Sequence, residues 1–442
     1  MIQTLFEELG QGEFLYDVKH DHEGNLSHLF ISHPKSITLT KNYSSVFVMD
    51  CTYKTNKYKM PLLNIVGVTS FNTTFFSAVI FLQKEEVGDY VWALECFVKI
   101  LGLQRQPLTI VTDRELALLN AIKVVFPDCS HLLCAWHIEK NIMAKCKKNF
   151  KTKEEWEEFI LDWTNVMKSP GEMSFCSSWG QLREKYSHQA LVIAYIENNW
   201  LPFKEKFFYA WTNKVMHFGN HVTSRVGGAH SKLKRYLQVS TGDLRGVKDK
   251  LCLLIDNEFQ EIKAQLSDEK IRVPHKFQIP LFKEIVGHVS VYALGELLKQ
   301  YELSKSDALL TCKGNFTSSM GLPCAHDIKG RLLPIQLADI HPQWRLDIRS
   351  LMSSDGERDQ IEGLLKKVYD NYHKLPLTEK NVIHDQLSRI VDLSVPLANE
   401  PRTCLHKGRP LGSVKRRNES STTRDPSLFE IMEKTQNRHR KI

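Results

Sequence analysis

SVFVMDCTY, residues 45–53, is β-branched and apolar until it meets an acid, Asp50. Such a run reads as a buried strand. An acid at the tip of a buried strand must face solvent, a metal or a hydrogen-bond donor. PLLNIVGVTS (61–70) and TTFFSAVIFL (73–82) follow, bounded by Pro, Asn and Thr turn signals, so the three strands form an antiparallel meander. DYVWALECFVKILG (89–102) then puts Tyr90, Val91, Leu94, Phe97, Val98 and Leu101 on one helical stripe, with Gly102 as C-cap. LTIVTD (108–113) is a second buried strand ending on an acid, Asp113. RELALLNAIKVVF reads as a helix, SHLLC as a fifth strand and AWHIEKNIMAKCKKNF as a helix. The order βββαβαβα predicts an α/β fold, a mixed sheet with helices on its faces.

Beyond this core the pattern changes. Residues 151–222 are helical by period, lack strand runs and hold five of the eight tryptophans, Trp156, Trp163, Trp179, Trp200 and Trp211, which reads as core filler in an all-helical insertion. TSRVGGAHSKLKRYL (223–237) is a basic helix with two glycines, Gly227 and Gly228, in its first turn. Each costs roughly 1 kcal/mol relative to alanine there. LRGVKDKLCLLIDNEFQEIKAQLSDEK is a long amphipathic helix, residues 300–345 are turn-rich, 355–390 look helical, and from Val395 onward disorder is expected.

Charge is unevenly placed along the 442 residues. Residues 401–442 carry eleven Lys/Arg against four Asp/Glu, leaving 48 against 47 in the rest. A neutral body with a basic tail points to a polyanion met through that tail; a solubilising tail is the plainer reading. No run of eighteen uncharged apolar residues exists, so no membrane span is expected. The acidic, mixed start MIQTLFEELGQGEF is unlike a signal peptide, and the ten scattered cysteines read as thiols or metal ligands rather than disulfides.

Several groups carry chemistry. Asp50 and Asp113, if their strands are neighbours, could hold Mg²⁺, whose few carboxylate ligands and retained waters suit phosphate chemistry; strands also end on aspartate routinely. Cys134 and His137 in CAWH have zinc-like spacing, but with Cys129 and His131 on an alternating strand the four cannot easily converge. In TCKGNFTSSMGLPCAHDI (311–328), Cys312, Cys324 and His326 are three soft ligands where a closed zinc site wants four. KGRPLGSVKRR (407–417) has an extended Gly-Arg-Pro core that could enter an A·T-rich minor groove, although such short matches also arise by chance.

Taken together, MDCTYKTNKYKMPLLNIVG (49–67), TDRELALLNAI (112–122), LLCAWHIEKN (132–141), TSRVGGAHSKLKRYL, GLPCAH (321–326) and ADIHPQWRL (338–346) resemble Mutator-like (MULE) transposases, especially their fungal branch and the plant far-red-response proteins of the same stock. The resemblance spans about residues 15–345. It implies an RNase H-like catalytic core in which Asp50 and Asp113 match two metal-binding acids, and a SWIM-type zinc finger around GLPCAH. That finger is a variant, because Gly314 stands where the family has its second cysteine. The third catalytic acid is missing as well: the family reads TSRVEGAH-like, and Gly227 occupies the glutamate's place. With Ser224 as N-cap, that glutamate would also complete a capping box. The family often carries a separate DNA-binding zinc domain ahead of the core; here about forty residues precede the first catalytic strand, which reads as loss of that domain or a truncated copy.

The expected organisation is a lead-in (1–40), the first part of the core (41–150), the helical insertion (151–222), a core-closing basic helix and helical region (223–300), a SWIM-like zinc finger (301–345), a helical region (346–394) and a disordered basic tail (395–442). The function expected is a transposase-derived, nuclear DNA-binding protein, catalytically impaired by Gly227. An active cut-and-paste transposase with another third acid and a protein–protein adaptor are the alternatives. Zn²⁺ belongs to the zinc segment, and Mg²⁺ or Mn²⁺ to the acids if the enzyme is active. Lys232, Lys234, Arg235, Lys407, Arg409, Lys415, Arg416 and Arg417 are the expected DNA contacts, with self-association left open.

Overall fold

A computed structural model describes residues 2–102, 106–220, 224–237, 242–306 and 312–347, together with Tyr372, Lys380, Glu400 and Pro401. The chain opens with α1 (Ile2–Gln11), a hairpin of β1 (Leu15–His20) and β2 (Leu26–Ser32), and α2 (Pro34–Asn42). The meander follows as β3 (Val46–Thr52), β4 (Leu62–Val68) and β5 (Thr74–Phe81). Then come α3 (Val87–Leu101), β6 (Thr109–Thr112), α4 (Leu116–Val125), β7 (Ser130–Leu133) and α5 (Ala135–Cys146). The element order read from the sequence is present, within a mixed α/β fold.

The stretch expected to be only a lead-in differs. Residues 15–32 supply two more strands, so the sheet has seven, ordered β1-β2-β5-β4-β3-β6-β7. Leu15–His20 alternates polar residues at the sheet edge, and Leu26–Ser32 mixes Ser and His into a strand buried along its whole length. Neither shows a clean apolar run, which is why periodicity passed over them. Pairing is antiparallel from β1 through β3 and parallel across β3, β6 and β7.

Alternation along the strands gives each sheet face its own core. Phe47, Met49, Leu63, Ile65 and Ile110 pack with α3 and α4. Val48, Leu62, Val66 and Val111 pack on the other face with α1, α10 (Ser224–Leu237) and α11 (Leu244–Ile271). Helices α6 (Lys153–Met167), α7 (Glu172–Lys185), α8 (Ala190–Asn199) and α9 (Tyr209–Thr212) build a separate aromatic core with α5, in which Trp156, Trp163 and Trp200 are buried. Helices α12 (Val291–Ser304), α13 (Asn315–Met320) and α14 (Ala325–Ile328) gather around Phe218 and Trp344. Gln343 ties that group to the sheet, donating from Nε2 to the Val68 carbonyl at 2.8 Å. The helix expected over 355–390 and the tail from 395 fall almost wholly outside the described residues.

Gly67 marks the tightest point of the meander. A Cβ there would lie 2.3 Å from the tip of the Phe75 ring, which is itself buried. Gly67→Ala should therefore cost about 1–3 kcal/mol by overpacking. Chemical denaturation measures this; a variant as stable as wild type would show that the β4–β5 packing is wrong.

Candidate metal and nucleic-acid site

Strand register brings the two acids together. In the parallel β3–β6 pair, Val48 stands opposite Val111. Two residues further along each strand lie Asp50 and Asp113, on the same face and at the same end of the sheet, with strands about 4.8 Å apart. Asn64 sits directly across from Asp50 on β4. The face is closed by α10, whose Val226, Ala229, Leu233 and Leu237 are buried in the core shared with Val48 and Val111.

Burial governs the electrostatics here. The Asp50 carboxyl is pushed up to about 8, first by loss of water and then by the charge of Asp113. Asp113 is raised to about 6, by burial and then by Glu115 and Glu85. Against these stands only the more distant Lys234; His230, whose Nδ1 is 3.8 Å from Asp50 Oδ2, is held neutral by burial, which lowers it to about 4. Two carboxylates held side by side, short of water and of compensating charge, form a donor set that a hard divalent cation fits. Around them the polar inventory is incomplete: Asn64 is fully buried with neither Oδ1 nor Nδ2 partnered, and His230 Nε2 is buried without a partner.

Other acids nearby are engaged elsewhere. Glu115 caps α4, accepting from Ala117 N. Glu85 accepts from the hydroxyls of Tyr53 (2.8 Å) and Tyr90 (3.2 Å), and Tyr90 and its neighbour Cys51 belong to the opposite face. Glu85, Asn64 and His230 were not singled out from the sequence. The signal for His230 was its place three residues after Gly227, which helical geometry turns into the same face.

The glycines of α10 have no structural need behind them. A Cβ at Gly227 or Gly228 would meet nothing within 4 Å, and neither residue has a positive φ. Gly227, His230 and Lys234 fall at i, i+3 and i+7; His230 Nδ1 lies 3.8 Å from Asp50 Oδ2, and the charge of Lys234 lowers Asp50. A side chain at 227 would thus leave the helix on the stripe that meets the acids. The expected capping box is corrected: α10 already includes Ser224, which makes Gly227 its fourth residue rather than the N3 position. Lys232, one of the expected DNA contacts, is half-buried and donates to the buried Glu258 at 3.1 Å. Lys234 and Arg235 are exposed, while Lys407, Arg409, Lys415, Arg416 and Arg417 lie outside the described residues.

The second cluster is compact. Cys312, Cys324 and His326 hold their ligand atoms within 4.8 Å of one another, the one such trio among the described residues. The sulfurs are 3.8 Å apart, and Cys324 Sγ is 3.7 Å from His326 Nδ1. A tetrahedral ion with Zn–S bonds of about 2.3 Å has an S···S edge of roughly 3.8 Å, so the spacing already fits zinc. Gly314 N donates to Cys312 Sγ at 3.4 Å, and Asp327 accepts from Cys324 N at 3.0 Å, locking the loop and the first turn of α14. Gly314 itself has φ +68°, a conformation that glycine adopts without strain and cysteine does not. Cys129, His131, Cys134 and His137 do not converge: His131 Nε2 pairs with Thr112 Oγ1 at 2.9 Å, Cys129 packs on the α3–α4 face, and Cys134 is the buried N-cap of α5.

Comparison with known proteins follows the same outline. Residues 46–141, from β3 into α5, match the MULE transposase domain. PKS-NRPS hybrid synthetase cheA of Chaetomium globosum is 24% identical over 358 residues, 70% of this chain and 8% of that protein. Protein FAR1-RELATED SEQUENCE 5 of Arabidopsis thaliana is 26% identical over 218 residues, 47% of this chain and 27% of its own. Protein FAR1-RELATED SEQUENCE 11 of the same plant is 20% identical over 417 residues, 82% of this chain and 58% of its own. The chain thus spans less than two thirds of each of these relatives. No helix among the described residues is long and apolar enough to cross a membrane.

Two measurements check this geometry. Protein purified without chelator should carry about one Zn²⁺ per chain, lost in Cys324→Ser; an equal zinc content in the variant would remove the site. For the acids, a folded-state pKa raised from 3.8 to about 8 means that Asp50 contributes stability below pH 4 that is lost as pH rises to 8. Without added divalent ions, wild type should therefore lose melting temperature across pH 4–8 more steeply than Asp50→Asn. Parallel slopes would show that Asp50 is not buried beside Asp113.

Proposed function

Since residues 46–141 carry a MULE transposase domain, we propose that this transposase-derived chain is a nuclear DNA-binding protein with an RNase H-like core whose strand-transfer chemistry is impaired. One observation carries the reading: Asp50 and Asp113 are aligned by strand register, and the helix stripe facing them presents glycine at 227. Asp50 and Asp113 would hold Mg²⁺ or Mn²⁺, which when bound supplies charge stabilisation at the DNA phosphate. The residues' own part is to fix those two carboxylates on rigid strands and to keep bulk water off them with α10. A two-metal clamp needs ligands for both ions, and neither Glu85 nor Glu115 is turned to replace the one missing at 227.

DNA contact rests on Lys234 and Arg235, exposed at the acid end of α10, and on the basic tail with Lys407, Arg409, Lys415, Arg416 and Arg417. The zinc-binding trio then closes a SWIM-like segment of three protein ligands. The same organisation assigns residues 41–150 to the first part of the core and 151–222 to the insertion.

The test is metal-dependent cleavage by wild type, Gly227→Glu and Asp113→Asn side by side, with duplex binding measured in parallel. Wild type and Asp113→Asn should bind duplex DNA in a steeply salt-dependent way and nick none of it with Mg²⁺ or Mn²⁺. Gly227→Glu should strengthen divalent-ion binding and, from helix propensity alone, stabilise the fold by about 1 kcal/mol. Robust wild-type cleavage that disappears in Asp113→Asn would overturn the impaired reading. Absence of DNA binding would favour the adaptor.

A further inference from the structure

Next to Asp113 in the chain stands an arginine that the acid site leaves unused. We infer that Arg114 is a phosphate anchor for DNA, held by two aromatic rings of the helical insertion at the acid end of the sheet. The inference rests on the DNA-binding reading and deepens it, by naming a group that meets the DNA backbone beside the acids.

Arg114 lies between β6 and α4, directly before Glu115, the N-cap of that helix. Its guanidinium carbon is 5.1 Å from the centre of the Trp200 ring and 4.9 Å from that of Phe203. Trp200 is buried and is the C-cap of α8; Phe203 belongs to the short 3₁₀ turn that follows, Leu201–Lys206. The insertion thus reaches back to the core to grip one cation. Two rings fix a guanidinium through cation–π attraction and keep water from it, but neither carries a charge to offset it. No carboxylate does so either. Among the described residues the Arg114 side chain makes no ion pair and no hydrogen bond, and its Nε is buried without a partner. Glu115 accepts from Ala117 N, and Asp113 stays raised to about 6 although the arginine follows it in the chain.

Charged side chains withdrawn from water are nearly always paired, so this one is an unmet demand for an anion. A phosphodiester is the anion it fits. The planar fork of N–H donors matches two phosphate oxygens, and a fork already immobilised by its rings loses little freedom on binding. The position suits the same guest. Strands β3, β6 and β7 are parallel, so the residues that follow them share one end of the sheet, and in open α/β sheets ligands bind at that carboxyl end. After β7, in α5, exposed Lys140 repeats the device with its Nζ 4.2 Å from the centre of the Trp136 ring. Its charge is felt at His137, which in turn acts on His230 beside Asp50. Ring-held cations thus stand after β6 and β7, next to the acids at the ends of β3 and β6.

The test uses the full chain and a duplex oligonucleotide, with affinity measured across a range of salt concentrations. Each phosphate contact adds about 0.9 to the slope of log affinity against log salt. Arg114→Met keeps apolar contact with the rings and removes the charge. It should lower that slope by about one and weaken binding about tenfold, whatever the DNA sequence. Its melting temperature should equal or exceed that of wild type, because the charge it removes is unpaired. An unchanged slope overturns the inference and leaves DNA binding standing; a lowered melting temperature beside it would make Arg114 a strut between core and insertion. Should Arg114→Met fail to fold, Arg114→Lys keeps the charge and loses the fork, and it should bind several-fold more weakly at the wild-type slope. Wild-type affinity in that variant would likewise overturn the inference. No duplex binding by wild type overturns both this role and the DNA-binding reading.

Discussion

The parallel pairing of Val48 with Val111 is the constraint on which the rest depends. It fixes β3 beside β6, and two residues later it delivers two aspartates to one end and one face of the sheet. Loss of water raises both carboxyls first; the charge of Asp113 then pushes Asp50 furthest, and Glu115 and Glu85 add to Asp113. Stability has been given up to hold charge at a rigid point, a pattern typical of functional sites. Everything packed on that face can be understood from this conflict. Helix α10 excludes water with its buried stripe and leaves its next stripe, through Gly227, His230 and Lys234, for the acids.

Much of this was legible in the sequence because the signals were local. Val46–Thr52, Leu62–Val68 and Thr74–Phe81 announce themselves through β-branched runs and turn residues, and the acids at two strand tips follow from reading where those runs stop. The cysteine–histidine trio was legible for the same reason: Cys324 and His326 are two apart, and a Gly-Leu-Pro turn returns the chain toward Cys312. What escaped was set by tertiary context. The β1–β2 hairpin is polar at the edge and reads as a strand pair only once β5 is beside it. Asn64 looked like an ordinary residue of an apolar strand until its register placed it opposite Asp50. The pairing of Lys232 with Glu258 joins α10 to α11, distant segments whose contact no periodicity reveals.

The glycines at 227 and at 314, where the resemblance led us to expect a glutamate and a cysteine, have different physical standing. Gly314 has a conformational reason to be glycine, since its φ is +68° and its backbone N–H supports Cys312. Gly227 has none: it is helical and open to solvent, and it costs helix stability. A glycine that serves neither backbone nor packing is what the proposed loss of an acid at 227 predicts, while Asp50 and Asp113 stay buried at the strand ends. The proposed reading, a transposase-derived scaffold that keeps two aligned acids without the third, rests on this contrast between the two glycines.

Counting the ions bound at the acid pair tests that account most directly. Titration calorimetry with Mn²⁺, on protein whose cysteine–histidine cluster is already filled with zinc, should give one ion per chain in wild type, two in Gly227→Glu and none in Asp50→Asn. Two ions in wild type, or a stoichiometry indifferent to Asp50, would contradict it.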